Sequence, residues 1–312
     1  MSRVKKRKLK QRKRVLFIFT VLVLLIVLPS SYFAWEYYSG YKVGEKVSEL
    51  NKKEIKFKGA PFQGTMNVLL IGGDSRGAES GNSDTIMIAQ YDTKSKQAKL
   101  VSLMRDIYIA IPGHEQKQKI NAAYSIGGPD LLRETIKENF DIDINYYAII
   151  DFRGFMEGID AAFPDGVEIN VEKRMSKNIY VTLEPGLQKL NGKELLGYAR
   201  FRGDAQSDFG RVVRQQKVLQ TITNEMISIQ GVAKLPKMLG TVRPFIDTNI
   251  ENTRMLKVLT SFLTSGNSNI EKLRIPLVDS FEDATLDDQY RTQVLDIDFD
   301  KNKEALKKFL QT

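Results

Sequence analysis

From Thr65 onward, apolar and polar positions fall into periods that change along the chain. "MNVLLIGG" is a continuous apolar run ending in glycines, the pattern of a buried strand, and "DTIMIAQYD" predicts a second strand. "AKLVSLMRDIYIAI" holds a third strand, or two broken near Arg105 and Asp106. "GGPDLLRETIKENF" opens a helix, with Pro129 suited to the first turn. "NYYAIIDF" predicts a strand, and "RGFMEGIDAAF" a helix with apolar residues at 155, 156, 159 and 162. "DGVEINV" is again strand-like, and "LNGKELLGYARF" a short helix with Asn191 as N-cap. A longer helix is predicted from Phe209 to about Ile229, with apolar residues at 212, 213, 218, 219, 222, 226 and 227. Residues 231–263 read as largely helical, and "DKNKEALKKFLQT" as a closing helix. Strands alternating with helices predict an α/β (α+β) class with a central mixed β-sheet flanked by helices.

Before this region the pattern is different. Val15–Ala34 is twenty residues without a charge, enough for a single N-terminal transmembrane helix spanning about 30 Å. Residues 1–14 ahead of it hold nine Lys or Arg and no acid. Tyr32, Phe33, Trp35, Tyr37 and Tyr38 crowd the far end, as in an interfacial aromatic belt. The positive-inside bias puts the tail in the cytoplasm and the body outside the cell membrane, as a single-pass protein. A cleaved signal peptide is the rival reading, although its apolar core would be shorter. The expected organisation is therefore a basic tail (1–14), an anchor (15–35), a stalk (36–62), an extracytoplasmic catalytic core (63–230) and a mostly helical C-terminal segment packing on it (231–312). The net charge of +9 belongs to the tail, because the rest of the 312-residue chain holds 38 basic and 38 acidic residues. A neutral body argues against a nucleic-acid partner.

The chain has no cysteine and one histidine, His114, in the turn-like "IPGHEQ". Disulfides, thiolate chemistry and multi-histidine metal sites are excluded, leaving carboxylates, arginines and hard cations. Asp74 in "IGGDSRG" and Asp84 in "GNSDTIM" flank a strand-to-strand connection that can bring both carboxylates to one sheet rim. Such a pair suits Mg²⁺, which takes one or two carboxylates plus substrate phosphates; equally, both could cap turns. Arg105 and Asp106 interrupt an apolar run, as an edge ion pair or as part of a site.

"LLGYARFRGDAQSDFGRVVRQQ", Leu195 to Gln216, carries Arg200, Arg202, Arg211 and Arg214. Arg200 and Arg202 point to one side of an extended segment. Arg211, Arg214 and Gln215 share a face near a helix start, where cations are disfavoured unless an anion compensates. Asp204 and Asp208 could compensate internally. Otherwise the cluster awaits phosphate, which guanidinium binds bidentately, and a diphosphate-linked lipid is the candidate on an outer membrane face.

"NVLLIGGDSR", "SDTIMI", "SLMRDIYIAIPG", "KINAAYSIGG", "IIDFRGF", "LNGKELLGYARFR" and "DFGRVVRQQ" occur in one order over roughly residues 65–220. In this they resemble the LytR–CpsA–Psr family of membrane-anchored cell-wall enzymes. The resemblance implies an Mg²⁺-dependent phosphotransferase that attaches polyprenyl-diphosphate-linked glycopolymer, wall teichoic acid or capsule-like, to peptidoglycan. By position, Asp74 and Asp84 match the family's magnesium-associated aspartates. Arg105, Arg200, Arg202, Arg211 and Arg214 match its phosphate-binding arginines, and Gln215 its nearby glutamine. Asn82 stands where the family often has arginine, and Met104 where proline is common. Asp84 or Asp106 could accept the proton of an acceptor hydroxyl. Phe152, Phe155, Ile159, Val213 and Ile222 could wall a groove for the lipid tail or be ordinary core. The competing function is a non-catalytic protein that senses lipid-linked precursors.

Overall fold

The computed structural model describes residues 31–46, 55–73, 83–227, 229–266 and 269–311. Its centre is a six-stranded mixed sheet. Counting strands in chain order, β1 (Thr65–Gly73), β2 (Thr85–Asp92) and β3 (Ala98–Leu103) form an antiparallel meander. β6 (Tyr146–Asp151) lies parallel to β1. The edges are β10 (Ile270–Ile275), parallel to β3, and β9 (Ile246–Thr248), antiparallel to β6. The order across the sheet is β10-β3-β2-β1-β6-β9.

Successive strand side chains point to opposite faces, and two cores follow. Leu69, Ile71, Ile86, Ile88 and Val101 are packed on one face under α2 (Ile120–Phe140) and α8 (Phe299–Gln311). The other face is covered by α3 (Phe152–Ala162), α4 (Gly192–Arg200), α5 (Ser207–Ile227), α6 (Ile229–Val242) and α7 (Asn252–Leu263), around Tyr91, Ile159, Leu195, Tyr198 and Val218. A ribbon of β7 (Val167–Val171) and β8 (Gly186–Leu190) closes this layer. Two further hairpins, β4 (Tyr108–Ile109) with β5 (Gln118–Lys119) and β11 (Phe281–Thr285) with β12 (Gln293–Ile297), lie beyond the end of β3.

Several elements match their patterns. Pro129 does restart a helix: α2 breaks at Gly127 and Gly128, the latter at φ +68°, a conformation that favours glycine. Asn191 caps α4 in a full capping box with Glu194. The C-terminal third departs from expectation. Residues 231–312 hold α6, α7 and α8, but also β9, β10, β11 and β12, and β10 is integral to the main sheet. "IEKLRI" and "IDT" are short and carry charges, as edge strands do, so their apolar alternation is weak.

Residues 15–30 of the expected anchor lie outside the described residues. Residues 31–46 form helix α1, whose Tyr32, Phe33, Trp35 and Tyr38 are exposed. No described helix is long and apolar enough to cross a membrane. The segment read as a stalk packs on the body. A Cβ on Gly40 would lie 2.2 Å from the Lys237 carbonyl oxygen, and one on Gly240 2.0 Å from that of Tyr37, so α1 and α6 meet backbone to backbone. Further on, the Ala60 amide donates to the Ile144 carbonyl at 2.8 Å, and the Lys58 amide to Asp130.

Candidate functional site

Sheet register brings the first two site residues together. β2 and β3 pair Ile86 with Leu103, so two residues further out Asp84 faces Arg105. Their side chains form an ion pair at 2.5 Å. The N-terminal turn of α5 then delivers Asp208 and Arg211. Asp208 accepts from Arg202 at 2.5 Å and from Arg211 at 2.7 Å, and lies 3.4 Å from the Arg105 Nε. Arg211 is also 3.8 Å from Asp84. Three arginines and two aspartates thus form one network at the sheet rim.

The network does not satisfy itself. Arg211 is 5% exposed, and the Nε groups of Arg105 and Arg211 are buried without a hydrogen-bond partner. Burial lowers the Arg211 pKa to about 10; Asp208 pulls it up, but Arg105 and Arg202 push it down again. For Arg105, burial is outweighed by Asp208, Asp106 and Asp84, and its pKa is raised. Asp208 serves three guanidinium groups, and Arg211, whose next carboxylate is Asp84 at 3.8 Å, is left under-neutralised where an incoming anion would compensate it.

Beside the network lies a cavity of about 500 Å³. Asp84, Arg200, Arg202, Arg211 and Gln215 line its polar end, and Leu70, Met87, Ile150, Phe152, Phe155, Leu196, Val218 and Leu219 its apolar walls. Arg200 stacks over Phe152 with its guanidinium 4.6 Å from the ring centroid. Gln215 donates to the Thr85 hydroxyl at 3.0 Å. Arg211, Gln215 and Leu219 are spaced by four on one face of α5, so a single helix carries the wall from charged to apolar. The arrangement suits an amphipathic ligand with an anionic head.

Not every expected residue reaches this cavity: Arg105 does not line it, although its ion-pair partner Asp84 does. Arg214 is buried beside it, and its fork is taken up by the Phe201 carbonyl at 2.6 Å and Asp204 at 3.1 Å, so it braces the 201–207 loop instead of lining the wall. Asp106 does not line the cavity either: one carboxylate oxygen pairs with Lys119 at 2.6 Å and the other lies 3.4 Å from the Arg105 Nε. Of the proposed tail wall, Phe152 and Phe155 line the cavity, while Ile159 sits in the core, Ile222 packs against it and Val213 is 55% exposed. Met87, Leu196, Val218 and Leu219 were missed, although strand alternation puts Met87 on the same face as Thr85. Asp74 and Asn82 lie outside the described residues.

The motif order and the fold coincide with those of a known family. The model of the LytR_cpsA_psr family matches residues 32–308. The chain belongs to this family. Among LytR_cpsA_psr relatives, the regulatory protein MsrR of Staphylococcus aureus (strain COL) is 44% identical over 274 residues, covering 86% of this chain and 83% of that protein. The polyisoprenyl-teichoic acid–peptidoglycan teichoic acid transferase TagU of Enterococcus faecalis (strain ATCC 700802 / V583) is 32% identical, covering 78% of this chain and 80% of that protein. The crystal structure of B. subtilis TagV superposes with a TM-score of 0.67 at 28% identity, covering 79% of this chain and 97% of that chain.

Proposed function

We propose that the chain is a membrane-anchored phosphotransferase that moves an anionic glycopolymer, wall teichoic acid or capsule-like, from a polyprenyl-diphosphate carrier to peptidoglycan. The observation that carries this reading is one cavity whose lining joins a guanidinium cluster to apolar walls. A polyprenyl diphosphate has that polarity. The activity for which TagU is named supports the same reaction class.

In this reading Arg105, Arg202 and Arg211 hold the diphosphate, with Arg200 and Gln215 at its flank. A hydroxyl oxygen of the acceptor attacks the phosphorus that bears the glycopolymer. The bond from that phosphorus to the bridging oxygen breaks, polyprenyl phosphate leaves, and a phosphodiester to the acceptor remains. Asp84, at the cavity wall, takes the hydroxyl proton. The arginines stabilise charge building on the leaving phosphate, the main demand of phosphoryl transfer.

Magnesium fits this donor set. Asp84, whose side chain is 33% exposed in the cavity lining, offers a hard carboxylate with one oxygen paired to Arg105. Mg²⁺ needs only one or two such groups when phosphates supply further oxygens. Asp84, with Asp74 as the second carboxylate, would hold the ion, which when bound would neutralise phosphate charge. Full transfer by Asp84→Ala in the presence of a chelator would remove this role.

The name of MsrR supports a second reading, a regulatory protein that binds lipid-linked precursors without turnover. Purified full-length protein, a synthetic polyprenyl-diphosphate glycan and a peptidoglycan acceptor separate the two. Release of polyprenyl phosphate with glycan joined to peptidoglycan is expected; tight lipid binding without release would make the protein a sensor. The reaction also requires residues 64–312 to lie outside the cell. Protease added to intact protoplasts should degrade the body, and a protected body would overturn this topology.

A further inference from the structure

A second groove, of about 950 Å³, opens on the opposite side of Arg105. It lies between the β4–β5 hairpin and the tip of the β11–β12 hairpin, residues 286–292. The two hairpins are fastened to each other: Ile107 bridges to Leu295, and the Leu295 amide donates to the Asp106 carbonyl at 2.8 Å. Arg105 lines this groove, while its partner Asp84 lines the apolar-walled cavity. The Arg105–Asp84 ion pair, at 2.5 Å, thus has one member in the lining of each space and forms part of the partition between them.

The groove differs from the cavity in chemistry. Its charged lining is balanced: Arg105, Lys117 and Lys119 face Asp106, Asp287 and Asp288. Gln116, Gln118 and Asn121 add carboxamides, which both donate and accept. Tyr108 adds a ring, with the Lys117 ammonium 6.0 Å from its centroid. A polyanion finds no net attraction here. A neutral chain of hydroxyl and amide groups finds donors and acceptors along the whole groove, and a chain laid in it passes beside Arg105 and Asp106.

We infer that this groove binds the acceptor, an uncharged stretch of glycan strand, and delivers one of its hydroxyls across the partition at the Arg105–Asp84 pair to the diphosphate. The inference rests on the reading of the first cavity as the diphosphate site. It gives donor and acceptor separate entrances, so attack comes from the side away from the lipid. Asp106, fixed by Lys119, is a positioning residue that orients Arg105 at the junction.

The test uses full-length protein in detergent and a soluble, uncross-linked peptidoglycan oligosaccharide. Gln118→Ala and Asp287→Ala, neither of which touches the diphosphate network, are combined. The double variant should bind the oligosaccharide about tenfold or more weakly, the worth of one or two hydrogen bonds, and its acceptor KM should rise in step. Its affinity for a polyprenyl-diphosphate analogue should match the parent's, which also reports an intact fold. Unchanged oligosaccharide affinity, or an equal loss of both ligands, would overturn the groove assignment, as would a parent that does not bind the oligosaccharide. A parent that binds it, loses it in the double variant and yet never releases polyprenyl phosphate keeps the groove and overturns the phosphotransferase reading instead.

Discussion

Arg211 donates to Asp208 one turn earlier on α5, at 2.7 Å, and the same aspartate accepts from Arg202. Arg211 is thus held in place before any ligand arrives, yet it is under-neutralised in a buried position. Arg211→Ala should weaken binding of a soluble polyprenyl-diphosphate analogue by roughly ten- to a hundredfold, the worth of a charge-assisted contact of about 1.5–3 kcal/mol. Arg211→Lys should recover only part, because the point charge returns without the fork. Titration calorimetry across the pair checks this, and parent-like affinity in Arg211→Ala would show that the cluster is not the anion site.

Asp208 is the shared counter-charge, so Asp208→Asn leaves Arg202 without its carboxylate partner and Arg211 with only Asp84, while Arg105 keeps Asp84 and Asp106. The melting temperature of this variant without ligand should fall by at least about 2–4 °C, the equivalent of 1 kcal/mol for a body of this size. Added pyrophosphate should then raise it more than it raises that of the parent, since the anion replaces the missing charge. Equal ligand-induced shifts in parent and variant would contradict that role.

The apolar wall makes a separate prediction. Leu219 lines the cavity two turns beyond Arg211. Leu219→Trp should reduce affinity for a long-chain polyprenyl-diphosphate analogue several-fold and leave that for a short-chain one unchanged. Equal affinity for both chain lengths in parent and variant would place the tail elsewhere.

The brace behind the site should respond to acid. Burial pushes the Asp204 carboxyl up, but Arg214 and Lys173 outweigh it and hold its pKa below the usual value. A carboxylate with a lowered folded pKa contributes stability above its unfolded pKa, about 3.9, and loses that contribution as pH falls through the folded value. The melting-temperature gap between parent and Asp204→Asn should therefore be largest near neutral pH and shrink below about pH 4. A gap that stays constant into acid would mean that the Asp204–Arg214 pair contributes nothing through its charge.

What was legible in the sequence follows from the range of the forces involved. β1, β2 and α5 announce themselves because burial imposes a period on consecutive residues. Arg211 and Gln215 were readable as neighbours because helix geometry fixes their spacing. Arg214 lies just as close in sequence, but its orientation is decided by the Phe201 carbonyl and Asp204, reached through a loop fold that spacing does not encode. β9 and β10 are edge strands whose partners lie about a hundred residues or more away, and their short polar runs carry little periodic signal. Asp106 stands out in the sequence because it interrupts an apolar run, while its partner Lys119 lies 13 residues on, in β5, and is brought to it only by the hairpin.

Gly40 and Gly240 allow α1 and α6 to touch along their backbones. α6 in turn packs against α3, whose Phe152 and Phe155 wall the cavity, so α1, α6 and α3 form one continuous stack behind the site. A side chain larger than glycine at either crossing would force the two helices apart, so the fit of the N-terminal helix is decided by two missing methyl groups.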